Sequence, residues 1–151
     1  MNAVRHCRIS FNTVVGRQEE EIPGLVGIVV VSHSADLARG VAELAGQMAG
    51  PDVRIEPAGG MPDGTLGTDD ALVRDAIARA DQGAGVLVLG DLGSAILTVR
   101  HVLEGQTNGH TVLADAPLVE GAVAAAVAAS AGCDVEQVVK AAEEARGVSK
   151  L

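Results

Sequence analysis

Aromatic residues are almost absent. The chain has no Trp and no Tyr, and its single Phe, Phe11, falls in the first stretch. From Leu25 onward the only rings are imidazole and proline. Bases are held by stacking on aromatic or guanidinium faces, and sugars commonly rest on aromatic faces too, so a tight nucleobase or carbohydrate pocket is not expected. Positive charge is equally scarce. Eleven Lys and Arg stand against 20 Asp and Glu, a net charge of −9, and the two lysines, Lys140 and Lys150, both lie near the C-terminus. A phosphate-backbone partner needs clustered basic side chains, so nucleic acid is not an expected partner. The two cysteines, Cys7 and Cys133, make neither a disulfide framework nor a metal spacing, and no His/Cys/carboxylate set is spaced for zinc. No apolar run approaches the roughly 18 residues of a membrane span, and no signal peptide with a proper cleavage site is present. The expectation is a cytoplasmic protein with no metal, no cofactor and no membrane association.

What is present is alternation. The 151 residues are most economically one domain, long enough to bury about two thirds of the unfolded chain's surface. Residues 1–24 differ in character, mixing basic residues, the acidic run Glu19–Glu21 and a Pro23-Gly24 break. They are expected to be a flexible N-terminal extension, of the kind an upstream start codon produces, with the ordered domain spanning 25–151. Val26–Val31 is a continuous apolar run, the mark of a parallel strand buried on both faces. Ala35–Met48 reads as a helix stopped by Gly50-Pro51. A second strand is expected over Val53–Pro57, then a Gly-rich loop over 58–67 and a helix from Thr68 to Ala80 with Thr68 as its N-cap. Gly85–Leu89 is a third strand, followed by a helix from the "GDLGSA" turn to Glu104. Thr111–Ala114 is the fourth strand, Pro117 opens an Ala-rich helix to Ser130, and Asp134 caps a last helix to Arg146.

This order specifies an α/β fold: a doubly wound, mainly parallel four-stranded sheet with helices on both faces. The common short strand order is 2-1-3-4, which reverses between strands 1 and 3. Ligands of such sheets bind beyond the carboxyl ends of the strands at that reversal. The tip of strand 1 carries Ser32-His33 and the tip of strand 3 carries Asp91. A histidine at the end of an apolar strand is ordinarily a packed core residue, but the strand tip puts this one where the sheet binds its ligand. A carboxylate accepting Nδ1–H would hold the tautomer that leaves Nε2 as nucleophile. The helices following the two strands aim their N-terminal amides at the same place, near Ser34 and near Gly93-Ser94, and such amides favour a phosphoryl dianion. The expected chemistry is therefore a covalent phosphohistidine on His33, oriented by Asp91.

The remaining motifs are weaker. The loop "AGGMPDGTLGTDD" lacks the lysine of a P-loop, although Thr68 at its end is a candidate phosphoryl contact and Asp69 a cap. A serine hydrolase needs a G-x-S-x-G elbow, and "DLGSAIL" has neither the spacing nor the second Gly. Ser94 reads as an N-cap, a role compatible with phosphoryl contact. His101 and His110 read as surface or structural residues, and Glu143-Glu144 as a solvated face. Glu120, one turn into the helix opened by Pro117, reads as partner contact, loop ordering or plain capping.

Four stretches together carry a family resemblance: "VVVSHSADLARGVAELAGQM", "AGGMPDGTLGTD", "GVLVLGDLGSAILT" and "APLVEGAVAA". Over Val26 to Arg146 the chain resembles the phosphotransfer subunits of phosphoenolpyruvate-dependent dihydroxyacetone kinases. More distantly it is similar to mannose-type IIA domains of sugar phosphotransferase systems. The resemblance implies a phosphotransferase subunit (phosphoenolpyruvate–glycerone phosphotransferase) whose His33 takes a phosphoryl group from phospho-HPr. It implies delivery to ADP on the kinase's nucleotide-binding subunit, with a substrate-binding subunit holding dihydroxyacetone. It further implies Asp91 as the partner of the active histidine, Ser94 near the phosphoryl group, and a homodimer formed through the sheet edge and helices. Mannose-type domains usually carry Gly-Gly-Ser-Pro after the aspartate, whereas "DLGSA" here favours the dihydroxyacetone branch. Some members of that branch carry fused HPr and enzyme I domains; a chain ending at Leu151 is expected to use a separate donor. The rival expectations are a sugar-uptake IIA domain and a phosphorylation-dependent regulatory module.

Overall fold

The computed structural model describes residues 24–106 and 110–151. The expected extension over residues 1–24 lies outside them except for Gly24, whose N–H donates to the Gln82 carbonyl at 3.2 Å. Four strands, β1 (Gly27–Ser32), β2 (Ile55–Gly59), β3 (Val86–Gly90) and β4 (Thr111–Leu113), alternate with helices α1 (Ala35–Ala49), α2 (Asp70–Ala80), α3 (Gly93–Glu104) and α4 (Leu118–Ser130). Helix α5 (Val135–Glu144) and a short 3₁₀ turn (Ala145–Gly147) complete the chain. The sheet is parallel throughout in the order β2-β1-β3-β4, with β1 paired to both β2 and β3. This is the doubly wound α/β arrangement expected from the alternation.

The period of two in the β-branched runs splits the core into two layers. Ile28 and Val30 of β1 join Leu87 and Leu89 of β3 against α1, α4 and α5. Val29 and Val31 join Val86 and Val88 against Val73, Ile77, Val99 and Val102 of α2 and α3. Every residue of β1 is buried, because a central strand has a covered layer on each side. Helix α4 presents Gly121, Ala122, Ala125, Ala126 and Ala129 to the interior, and α1 answers with Ala38, Val41, Ala42 and Ala45. Small side chains on both surfaces let the two helices approach closely over the sheet.

Several boundaries differ from expectation. Strand β2 is displaced two residues toward the C-terminus, because the parallel ladder runs on to pair Gly59 with Ser32. A Cβ at Gly59 would lie 2.5 Å from the Ser34 carbonyl oxygen, so glycine permits this contact with the start of α1. Pro57 is tolerated within β2 because β2 is an edge strand. Helix α2 begins at Asp70, capped by the Asp69 side chain accepting from Leu72 N–H, so the expected cap Thr68 precedes the helix. Ser94 is not an N-cap either: α3 is preceded by Leu92 and has no side-chain cap. The Asp134 cap is a full capping box with Gln137. Cys133, at the turn into α5, is disulfide-bonded, whereas two cysteines in the sequence suggest no disulfide framework.

Candidate active site

The reversal of strand order brings the ends of β1 and β3 together. Asp91 directly follows β3, and its N–H donates to the Val31 carbonyl at 3.1 Å, which holds it at the mouth of β1. Its carboxylate then takes four hydrogen bonds, two on each oxygen. Oδ1 accepts from the Leu92 N–H at 2.7 Å and lies 2.9 Å from His33 Nδ1. Oδ2 accepts from the His33 N–H at 3.0 Å and from the Ser32 hydroxyl at 2.8 Å. Burial acts to raise the pKa of this carboxyl, but the donors from His33, Ser32 and Leu92 outweigh it and hold the group below its ordinary value. Asp91 is therefore ionised at neutral pH and can only accept, so the Nδ1 proton belongs to the ring and the Nε2 lone pair points away.

Nε2 faces Ser94, with its Oγ at 2.5 Å. The side chain of His33 keeps 25% of its surface exposed while that of Asp91 keeps 11%: the carboxylate is the more sheltered partner, and the ring edge bearing Nε2 has the Ser94 hydroxyl as its hydrogen-bond partner. Ser94 belongs to the first turn of α3, which has no acidic residue there and no side-chain cap. The leading N–H groups of a helix have no intrahelical acceptor, so this end offers donors and a positive dipole to an anion beside Nε2. A groove of about 870 Å³ runs between α3 and the end of β4, lined in part by Asp91, Leu92, Ile96, Arg100 and Leu113. Asp91 lines it and His33 does not.

The other expected residues fall nearby with altered tasks. Ser34 caps α1, its hydroxyl accepting from Leu37 N–H, while its own N–H donates to Ser32 Oγ at 3.1 Å. Its amide is thus already engaged. Thr68 bonds Thr98 of α3, Oγ1 to Oγ1 at 2.7 Å. The loop before it is tied to the site by the Gly67 N–H on the His33 carbonyl, 2.9 Å. Gly93 opens α3 beside Ser94. His101 is exposed, 3.4 Å from Asp70; His110 is exposed ahead of β4; and Glu120 pairs with Lys150 at the rim of α4. Among the described residues no group of three or more His, Cys, Asp or Glu is placed to hold a metal ion.

Sequence reasoning missed Ser32 and Thr98. Ser32 is the one fully buried polar residue among those described. The available signal was a hydroxyl ending a run of four β-branched residues, a place where a buried polar atom must find a partner.

The family described as the PTS system fructose IIA component matches residues 27–139, from the start of β1 into α5. The chain belongs to this family. As a IIA-type domain it is 40% identical over 106 residues to the PEP-dependent dihydroxyacetone kinase 2 phosphoryl donor subunit DhaM of Listeria innocua, covering 68% of this chain and 85% of that one. It is 32% identical to the corresponding phosphotransferase subunit DhaM of Lactococcus lactis, covering 78% of this chain and 94% of the relative. To DhaM of Pantoea ananatis it is 42% identical over 80% of its own length, but it spans 27% of that longer protein. Within the family the IIA-type domain therefore groups with DhaM phosphoryl donor subunits. A solved crystal structure of a protein of unknown function, 36% identical, superposes with a TM-score of 0.71 over 80% of this chain and 94% of that one. A sigma-54 interaction domain protein from Enterococcus faecalis, 19% identical with a TM-score of 0.61, shares the fold. Among the described residues no helix is long and apolar enough to cross a membrane.

Proposed function

We propose that this domain is a cytoplasmic phosphohistidine carrier: His33 Nε2 accepts a phosphoryl group from phospho-HPr and passes it to ADP on the nucleotide-binding subunit of a dihydroxyacetone kinase. The observation that carries the reading is the 2.9 Å contact between His33 Nδ1 and an ionised Asp91, which leaves Nε2 toward Ser94 in the first turn of α3. In the step itself, the Nε2 lone pair attacks phosphorus as the N–P bond to the donor imidazole breaks. The departing imidazole keeps the bonding electron pair, the Nδ1 proton of His33 stays in place, and the Asp91 carboxylate facing it offsets the positive charge that develops on the ring. Ser94 and the first amides of α3 turn their donors onto the phosphoryl oxygens. Gly93 sits among these amides, while Ser34 and Thr68 shape the rim through α1 and α3. A transfer between two similar nitrogens needs no metal.

Exposed apolar residues lie within one turn or one residue of the site groups: Leu37 after Ser34, Leu66 before Gly67, Leu92 after Asp91 and Leu97 after Ser94. Such a collar around the reacting nitrogen suits a protein-borne phosphoryl group, and the net charge of −9 favours a donor with a basic face. The relatives named as phosphoryl donor subunits of dihydroxyacetone kinase support the acceptor assignment, with the substrate-binding subunit of that kinase as the site of dihydroxyacetone. A homodimer fits the edge position of β4 among the described strands and the exposed Leu44 and Met48 of α1.

The test is intact-protein mass spectrometry after incubation with phosphoenolpyruvate, enzyme I and HPr. One added phosphoryl group is expected on the wild type, discharged when ADP and the kinase's nucleotide-binding subunit are supplied. A phosphorylated chain that ignores that subunit but discharges to a sugar-system IIB protein would move the domain to sugar uptake, the reading favoured by the fructose IIA match.

A further inference from the structure

Ser32 carries no role in the chemistry described so far, yet it is fully buried at 0% exposure and its hydroxyl sits between two site elements. It accepts from the Ser34 N–H, 3.1 Å away, and donates to Asp91 Oδ2, 2.8 Å away. A serine hydroxyl has one proton to give. With the Ser34 amide occupying a lone pair, that proton has one direction left, toward the carboxylate. Its carbonyl is engaged as well, taking the Gly60 N–H at 3.2 Å, so Ser32 is tied to β2, α1 and Asp91 at once.

The rotation of an aspartate carboxylate about its last torsion is broad and roughly two-fold. Backbone donors alone reach Asp91 from one side each: His33 N–H on Oδ2 and Leu92 N–H on Oδ1. We infer that Ser32 is a positioning residue, whose hydroxyl sets the carboxylate plane of Asp91 so that Oδ1 faces His33 Nδ1 and the ring is kept in the tautomer with Nε2 unprotonated. The linkage runs Ser34 N–H to Ser32 Oγ–H to Asp91 to His33, so the first residues of α1 and the reacting ring are joined by one hydrogen-bonded chain, in which each bond polarises the next. This role rests on the carrier reading for its consequence but not for its geometry.

The experiment compares wild type with Ser32→Ala, which removes only the hydroxyl, and Ser32→Cys, which keeps the size and a weaker donor. Long-range proton–nitrogen NMR spectra of labelled protein at alkaline pH report the two ring nitrogens of His33, assigned by their loss in His33→Gln. Wild type is expected to show the Nδ1–H tautomer alone. In Ser32→Ala the two nitrogen signals should move toward each other as the second tautomer becomes populated. The maximal rate of phosphoryl uptake should fall about tenfold, the loss of one hydrogen bond to a charged group, with the apparent KM for the phosphorylated donor unchanged. Ser32→Cys should fall between. A cooperatively folded Ser32→Ala with wild-type ring signals overturns the inference; if that variant does not fold, wild-type signals in Ser32→Cys overturn it. A wild-type protein that takes up no phosphoryl group defeats the carrier reading while leaving the ring signals to decide the role of Ser32.

Discussion

Asp91 holds His33 twice, by the ring nitrogen Nδ1 at 2.9 Å on one carboxylate oxygen and by the backbone N–H at 3.0 Å on the other. One side chain thereby fixes both the position of the residue and the orientation of its ring. Parallel pairing of β1 with β3 makes this possible, since Asp91 follows Gly90, the partner of Val31.

His33→Gln tests the nucleophile. The side chain is a quarter exposed and contributes nothing to either core layer, so cooperative unfolding should persist with a change of at most about 1 kcal/mol beyond the lost hydrogen bonds. Phosphoryl incorporation, read by intact mass, should vanish. A variant still carrying acid-labile phosphate would locate the chemistry elsewhere.

Asp91→Asn reverses the tautomer logic. An amide group has donors at one end, and both ends of this carboxylate now face donors: Ser32 and His33 N–H at one, Leu92 N–H and Nδ1–H at the other. The ring can answer an NH₂ only by presenting a bare Nδ1, which moves the proton to Nε2 and blocks attack. Transfer measured by rapid quench should drop by about 100- to 10,000-fold, the range expected when an orienting carboxylate is lost.

The pH dependence of stability follows from the same carboxylate. Its pKa in the fold lies below the ordinary 3.8, so the unfolded chain takes up the proton first as pH falls. The stabilisation is therefore complete above 3.8 and is lost as pH drops through the lower folded value. Denaturant unfolding at a series of pH values should give a constant difference between wild type and Asp91→Asn from neutrality down toward 3.8, then a difference that shrinks until the folded carboxyl is itself protonated. A difference that grows on acidification would contradict the hydrogen bonding seen here.

Ser94→Ala separates phosphoryl contact from folding. The hydroxyl makes no cap bond for α3, so stability should change by less than about 0.5 kcal/mol. Transfer should slow by about tenfold, the loss of one hydrogen bond to a charged group. Stopped-flow transfer and thermal melting would show the two effects apart.

Gly59→Ala should injure the site without touching a reacting atom. The added methyl would lie 2.5 Å from the Ser34 carbonyl oxygen and 2.8 Å from Ala38 Cβ, so α1 must retreat from β2. Overpacking of this kind costs about 1–3 kcal/mol, and the displaced Ser34 amide would weaken the chain leading to Asp91. Chemical unfolding and transfer rate should fall together.

The alternation of apolar runs and helical patterns was enough to specify the parallel sheet, because handed crossovers leave few other arrangements for these segments; the common short strand order then brought His33 and Asp91 together at the reversal. Composition alone argued against nucleic acid as a partner, through the shortage of rings and positive charge. Sequence could not say where β2 stops, since Gly59-Gly60 reads locally as a loop and only pairing with Ser32 keeps it in the ladder. Nor could it choose between Thr68 and Asp69 as the cap of α2, for both side chains can accept from a helix amide and the outcome turned on a partner 30 residues away, Thr98. The same holds for Ser32: a serine at the end of a strand is unremarkable until another strand delivers a carboxylate to it. Local patterns determined which elements form and where they sit; the direction of each hydroxyl proton was decided by neighbours distant in the chain, because a hydroxyl takes its role from whichever acceptor the packed structure places within reach.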